Sequence, residues 1–182
     1  YKRLVKEYPE SGYVPDAWMA IGDYYFSNNN VYEALPAYEE VLKFSNSKVF
    51  GFAKYKIAWC YFNLGKNREA IDTFKEVVDW SQREGDQSKI TLIEEALKDL
   101  VMAYAEAGSV DEAEAYFKKI GGDKYFRMML VKLATIYTDQ GKTDESITVY
   151  RRLIHDYPLH KENPEFQIRI VEAYTNKGDK EM

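Results

Sequence analysis

Residues 54–78, KYKIAWCYFNLGKNREAIDTFKEVV, decide how the rest of the chain is read. Apolar side chains fall at Ile57, Ala58 and Tyr61, then beyond Gly65 at Ala70, Phe74 and Val77. That spacing draws one buried stripe on each of two helices joined by a tight turn. A lone hairpin of this kind cannot bury its apolar face, so the pattern predicts further copies stacked against it.

Copies lie on both sides. Trp18, Ile21, Gly22 and Tyr25 are followed by Ala34, Tyr38 and Val41 with the same internal spacing, 36 residues upstream. Downstream come Leu97, Leu100, Val101 and Tyr104 with Ala113, Phe117 and Ile120, then Leu130, Leu133, Ala134 and Tyr137 with Ser146, Tyr150 and Leu153. The two ends match each other across 149 residues: Tyr1-Lys-Arg-Leu-Val-Lys-Glu-Tyr-Pro9 reads against Tyr150-Arg-Arg-Leu-Ile-His-Asp-Tyr-Pro158. On this reading the chain opens in the second helix of one repeat and stops after the first helix of another, as if taken from a longer array.

These residues resemble the tetratricopeptide repeat family, whose pattern sets Trp or Leu, Leu-Gly and Tyr on the first helix and Ala, Phe, Ala, Pro on the second. Trp18, Ile21, Gly22, Tyr25, Ala34 and Tyr38 fit it, as do Leu133, Ala134, Tyr137, Tyr150 and Pro158. Departures are Lys54, Ala58, Val101 and Ser146, all tolerable in size. The resemblance implies an all-α fold, a right-handed α-solenoid of stacked antiparallel helix pairs. It predicts a single array over 1–182, with repeats at about 15–48, 51–84, 94–122 and 127–160 and half-repeats at 1–10 and 164–182.

Punctuation along the chain supports these boundaries. Tyr8-Pro9 ends the opening helix, and Pro15 suits the first turn of the next. Asn30 with Glu33, and Ser109 with Glu112, are candidate capping boxes. Gly121-Gly122 is read as a helix stop, with Asp123 capping the helix that follows. The polar stretch 81–88 is read as a loop or an overlong helix end, stretching the local spacing to 43 residues.

Composition narrows the function. At 182 residues, 46% hydrophobic and 15% aromatic, the chain has ample material for a continuous core. A formal charge of −5 provides no basic field to gather phosphates, which argues against nucleic acid and against an RNA-reading hairpin array. No uninterrupted apolar run of 18 residues occurs, so no membrane span is expected. The single cysteine, Cys60, excludes an intrachain disulfide and reads as a buried, inert thiol.

Motifs of catalysis are missing: there is no GxSxG, HExxH, Walker or GxGxxG pattern. His155 and His160 flank Tyr157-Pro158 without a cysteine or carboxylate set and read as exposed loop residues. Acidic pairs such as Glu94-Glu95 and Asp111-Glu112 sit in first helical turns, where the helix dipole favours them. The expectation is a non-enzyme with no cofactor and no metal.

What remains is recognition of another protein. Positions one step round from the core stripe place Tyr55, Trp59 and Phe62 on a second face, about a right angle from Ile57, Ala58 and Tyr61. In the family that face of each first helix lines a groove. The equivalent positions are Met19, Asp23 and Phe26 upstream and Lys98, Met102 and Ala105 downstream. The reading is an aromatic floor of Phe26, Tyr55, Trp59 and Phe62 rimmed by Asp23, Lys56, Asn63, Lys98 and Asp99, with Met102 beside it, holding an extended or helical partner segment. The residues leave a second reading open, in which Trp59 and Phe62 only pack against a neighbouring helix.

Some family members grip a terminal carboxylate with a Lys/Asn/Arg set, but Met19, Asp23, Lys56, Glu95 and Asp99 stand at the matching places here. The YP-x5-P linkers and segments such as YPESGYVPDAW and EALKDLVMAYAEAG look like bacterial envelope tetratricopeptide proteins, particularly outer-membrane lipoproteins of gliding-motility and related periplasmic machinery. That resemblance implies a periplasmic scaffold in a multiprotein complex. The competing expectation is an architectural spacer that self-associates and holds no peptide.

Overall fold

The fold is given by a computed structural model that describes residues 1–84 and 88–178, without side-chain detail for 83–90 and 121–124. Among the described residues every regular element is a helix: α1 (Lys2–Glu7), α2 (Val14–Ser27), α3 (Val31–Val41), α4 (Phe50–Asn63), α5 (Asn67–Glu84), α6 (Ser88–Ala107), α7 (Val110–Asp139), α8 (Thr143–Asp156) and α9 (Asn163–Lys177). This is the all-α, α-solenoid class that the periodicity predicts. The chain divides into two compact units, Tyr1–Ala103 and Tyr104–Met182.

In the first unit α2 packs on α3, α3 on α4, and α4 on α5. The helices meet through the stripes read from sequence. Ile57 and Cys60 of α4 join Val31, Ala34 and Tyr38 of α3 in one buried cluster, and Ala58, Phe74 and Val77 are sealed as well. Small residues allow the close approach. A Cβ on Gly22 would stand 2.5 Å from the Tyr38 ring, and one on Gly51 would stand 2.2 Å from the Trp80 ring.

Three hairpin turns share one geometry. Asn29, Gly65 and Gly141 all adopt a left-handed backbone, with φ of 59°, 71° and 70°. In each, the next residue's N–H reaches back to a helix carbonyl: Asn30 to Tyr25, Lys66 to Tyr61 and Lys142 to Tyr137, at 2.9, 2.9 and 2.8 Å. This six-to-one closure satisfies carbonyls that the helix end would otherwise leave open. It also explains why Asn30 makes no side-chain cap on α3, contrary to the capping box read from sequence: the turn is closed by backbone bonds. The turn between α6 and α7 is built differently. Ser109 is extended and makes the full capping box with Glu112, as expected.

Proline sets the other junctions. Tyr8 and Tyr157, each before a proline, leave their helices at φ −132° and −129°, outside the helical region that the following ring disfavours. Pro15 and Pro164 then open α2 and α9. Pro36 lies inside α3, where it leaves the carbonyl of the exposed Tyr32 to solvent.

The second unit departs from expectation. Gly121-Gly122 does not stop the helix and Asp123 does not begin a new one, because helical bonding runs from Val110 to Asp139. A straight helix would carry Glu114 about 38 Å from Asp139, whereas Arg152 is only the tenth residue of α8, about 14 Å along it. Yet Arg152 pairs with both Asp111 and Glu114. α7 is therefore bent, and the change of direction lies within a continuous helix, as glycine pairs permit. The buried face changes too: Phe126 follows Phe117 by nine residues, half a turn round the helix axis. Residues 85–87 of the expected polar loop lie outside the described residues, and α5 reaches Glu84 before them.

His155 sits in the last turn of α8, and His160 is partly buried, its Nδ1 accepting from the Glu162 N–H at 3.3 Å. His155 is thus exposed as read from sequence but stands on a helix, whereas His160 lies in the loop as read but is not fully exposed. No helix among the described residues is long and apolar enough to cross a membrane.

Candidate protein-binding face

The residues singled out from sequence all belong to the first unit, on one face of α2, α4 and α6. That face exists because α4 is amphipathic in two directions. Ile57, Ala58 and Cys60 are sealed against neighbouring helices, while Tyr55, Trp59 and Phe62, displaced round the same helix, are only half-buried. Cys60 is wholly enclosed, and burial pushes its thiol up to about 12, so it is an inert core group.

The structure sorts these residues into two clusters. In one, the Tyr55 hydroxyl and the Trp59 indole N–H both donate to Oδ2 of Asp99, at 2.5 and 3.1 Å. The Trp59 ring meets Phe62 edge-on at 5.5 Å and Phe74 at 6.1 Å; Tyr55 also meets Phe74, at 5.9 Å. Asp99 is thus not part of a rim. It is the shared acceptor that fixes two aromatic side chains one helical turn apart. Burial first, and then the bond to Asp99, hold the Tyr55 phenol above its ordinary value.

The second cluster centres on Phe26. Lys56 Nζ stands 5.3 Å above its ring, a cation–π contact, and Tyr38 lies against it at 6.5 Å. Tyr38, fully buried, donates its hydroxyl to Asp23 at 2.8 Å, and burial with that bond raises its phenol as well. Phe26 is accordingly covered by Lys56 and is less open than an uncovered floor would be. Asn63 is exposed and donates to the Trp59 carbonyl at 2.7 Å. Lys98 is exposed on α6, and Met102 is half-buried one turn on.

Sequence reasoning missed Phe74 and Tyr38 as members of these clusters, having placed both in the core stripe. It also missed Asp99 as an acceptor. The signal was present in the four-residue separation of Tyr55 and Trp59, two ring donors on one face that need a common partner once half-buried. As a surface the arrangement offers aromatic edges, an amide and two lysines held on rigid helices, which suits binding.

Comparison with known proteins agrees with this architecture. Models described as tetratricopeptide repeat match residues 15–48, 52–79 and 129–160, and a model described as PPR repeat matches 99–125. Among curated proteins none matches significantly. A tetratricopeptide repeat protein from Parabacteroides merdae ATCC 43184 is similar in structure, with a TM-score of 0.58 at 18% identity over 98% of this chain and 64% of that one. MamA protein is similar with a TM-score of 0.50 at 20% identity, over 94% of this chain and 98% of that one. At such identities the likeness is one of fold. The tetratricopeptide matches together cover more than half of the chain, which therefore belongs to the tetratricopeptide repeat family.

Proposed function

We propose that the α2–α4–α6 face captures an extended or helical segment of a partner protein, and that the chain serves as a scaffold within a multiprotein bacterial envelope complex. The observation that carries the first part is the state of Trp59 and Phe62. They are held edge to face at 5.5 Å, with the indole N–H already satisfied by Asp99, and both remain half-open to solvent. Rigid aromatic side chains with satisfied polar tips lose little entropy when a partner covers them, the property of residues that anchor interfaces. Tetratricopeptide repeats in general are protein–protein interaction modules, which agrees with this use.

A photo-crosslinking side chain placed at Asn63 or Lys98 tests the site, with the same group at Tyr32 as control. Adducts at 63 and 98 that vanish with Phe62→Ala support the reading; equal labelling at 32 refutes it. The envelope assignment rests on the YP-x5-P linkers and their resemblance to periplasmic and outer-membrane lipoproteins. Fractionation of the native host checks it, since recovery with cytoplasmic proteins would remove that part while leaving the groove untouched.

A further inference from the structure

Tyr38 of α3 and Tyr150 of α8 hold the same place in their repeats, 112 residues apart, and both are buried. Tyr38 donates its hydroxyl to Asp23, and Phe26 lies against its ring at 6.5 Å. At the corresponding places in the second unit Asp23 becomes Thr135 and Phe26 becomes Thr138. These two threonines bond back to their own helix, to the carbonyls of Val131 and Ala134 at 3.0 and 2.9 Å. Tyr150 is left without the carboxylate that Tyr38 has.

The consequence is an open pocket of about 300 Å³. Tyr150 is 4% exposed, yet its hydroxyl finds no hydrogen-bond partner among the described residues and is not one of the sealed polar atoms, so it opens into the pocket that its ring lines. A buried phenol without a partner is uncommon and points to something that supplies one. Val131 and Phe166 form apolar walls, with Phe166 stacked on Tyr150 at 5.3 Å. Charge around the opening is uneven: Asp139, Glu162 and Glu165 stand against one cation, Arg169. Arg127 answers Glu162 at 2.6 Å, and Arg169 is divided between Glu165 at 3.5 Å and Glu172 at 3.7 Å. Asp139 has no ionic partner among the described residues. The exposed faces of α9 at Ile168 and Val171 take no part.

We propose that this pocket is a separate site, which holds an arginine or lysine side chain of a partner polypeptide. The stem of that side chain lies along Val131 and Phe166, and its cationic head donates to the Tyr150 oxygen and pairs with Asp139 and Glu165. The excess of carboxylates selects a cation. The volume, at the small end for ligand pockets, suits one long side chain and not a whole ligand. The site lies wholly within the second unit and stands or falls without the α2–α4–α6 face.

Chemical-shift titration of the 182-residue chain with short capped peptides tests this: one carries a central arginine, one a lysine, and one a citrulline, which keeps the shape of arginine without its charge. The arginine and lysine peptides are expected to shift the Thr135 and Thr138 signals saturably, with Kd of about 1 mM, and the citrulline peptide to leave them in place. Tyr150→Phe weakens binding about fivefold, and Asp139→Asn by up to about fivefold. Thr138→Phe, at an exposed position, fills the space with the residue found at Phe26 and abolishes binding. Thermal melts confirm that every variant remains folded; should Thr138→Phe melt early, Tyr150→Phe and Asp139→Asn decide. Citrulline binding as tightly as arginine, binding unchanged in the folded variants, or no saturable shift with either cation overturns the proposal and leaves the phenol to water.

Discussion

The Tyr55 hydroxyl lies 2.5 Å from Asp99 Oδ2, across 44 positions of sequence, and ties α4 to α6 on the face that also presents Trp59. With the Trp59 indole on the same oxygen at 3.1 Å, one carboxylate fixes two rings. Removing it leaves both donors half-buried and unpaired. Asp99→Ala is expected to cost roughly 2–3 kcal/mol, the upper part of the range for hydrogen bonds to charged groups. Tyr55→Phe removes one bond only and should cost less, about 1.5 kcal/mol, the lower end of the same range. Urea titrations of the two variants check the order; equal losses would mean that Asp99 does not act as a shared acceptor.

Raised phenol and thiol values set the behaviour at alkaline pH. Tyr38 and Tyr55 are both held above the ordinary 10.0 by burial and by a carboxylate neighbour, and burial lifts the Cys60 thiol from 9.0 to about 12. The folded state keeps these protons at pH values where the unfolded chain has lost them. Their contribution is whole below the unfolded values and is lost as pH rises through about 9 to 10 and onward to the folded values. The melting midpoint is expected to hold steady to about pH 9 and then fall. Tyr55→Phe and Cys60→Ala should each make that fall shallower, which a set of melts across alkaline buffers measures.

Gly51 is predicted to resist substitution. The Cβ of Gly51→Ala would sit 2.2 Å from Trp80 Cζ3 and 2.8 Å from Cη2, with Phe50 tilted against the same indole at 5.5 Å. Overpacking costs typically about 1–3 kcal/mol, against about 1 kcal/mol gained from helix propensity. The net expectation is a loss of about 1 kcal/mol. A midpoint that rises instead would show that Trp80 moves aside freely.

Ser109 carries the capping box of α7. Ser109→Ala deletes the acceptor for the Glu112 N–H, a 3.1 Å bond, and should cost about 1 kcal/mol. Because the box belongs to the second unit, hydrogen exchange should quicken at the start of α7 while α2 to α4 keep their protection. Uniform quickening throughout the chain would contradict a local role.

Much of the fold was legible because turn chemistry and periodicity agreed. Gly65 and Gly141 mark left-handed turns that a side chain with a Cβ resists, and the Ile57, Ala58, Tyr61 stripe is buried or half-buried as read. Asn29 takes the same conformation and carries the weaker signal, since asparagine tolerates that region without being confined to it. Gly121-Gly122 misled because a glycine pair marks either a helix end or a bend, and only the helical bonding that continues from Val110 to Asp139 distinguishes them. The candidate face was legible by position and not by bonding. Helical angles put Trp59 and Phe62 on a second side of α4, but no local pattern relates Asp99 to Tyr55, because that bond depends on how successive helices lie against each other.

Continuous hydrogen bonding through the bend of α7 has a mechanical side. A load applied along the chain should pay out slack first at the left-handed corners near Gly65 and Gly141, where a few backbone bonds close each turn. The bent helix, with no free corner between its halves, would straighten before it breaks and so act as the spring of the second unit.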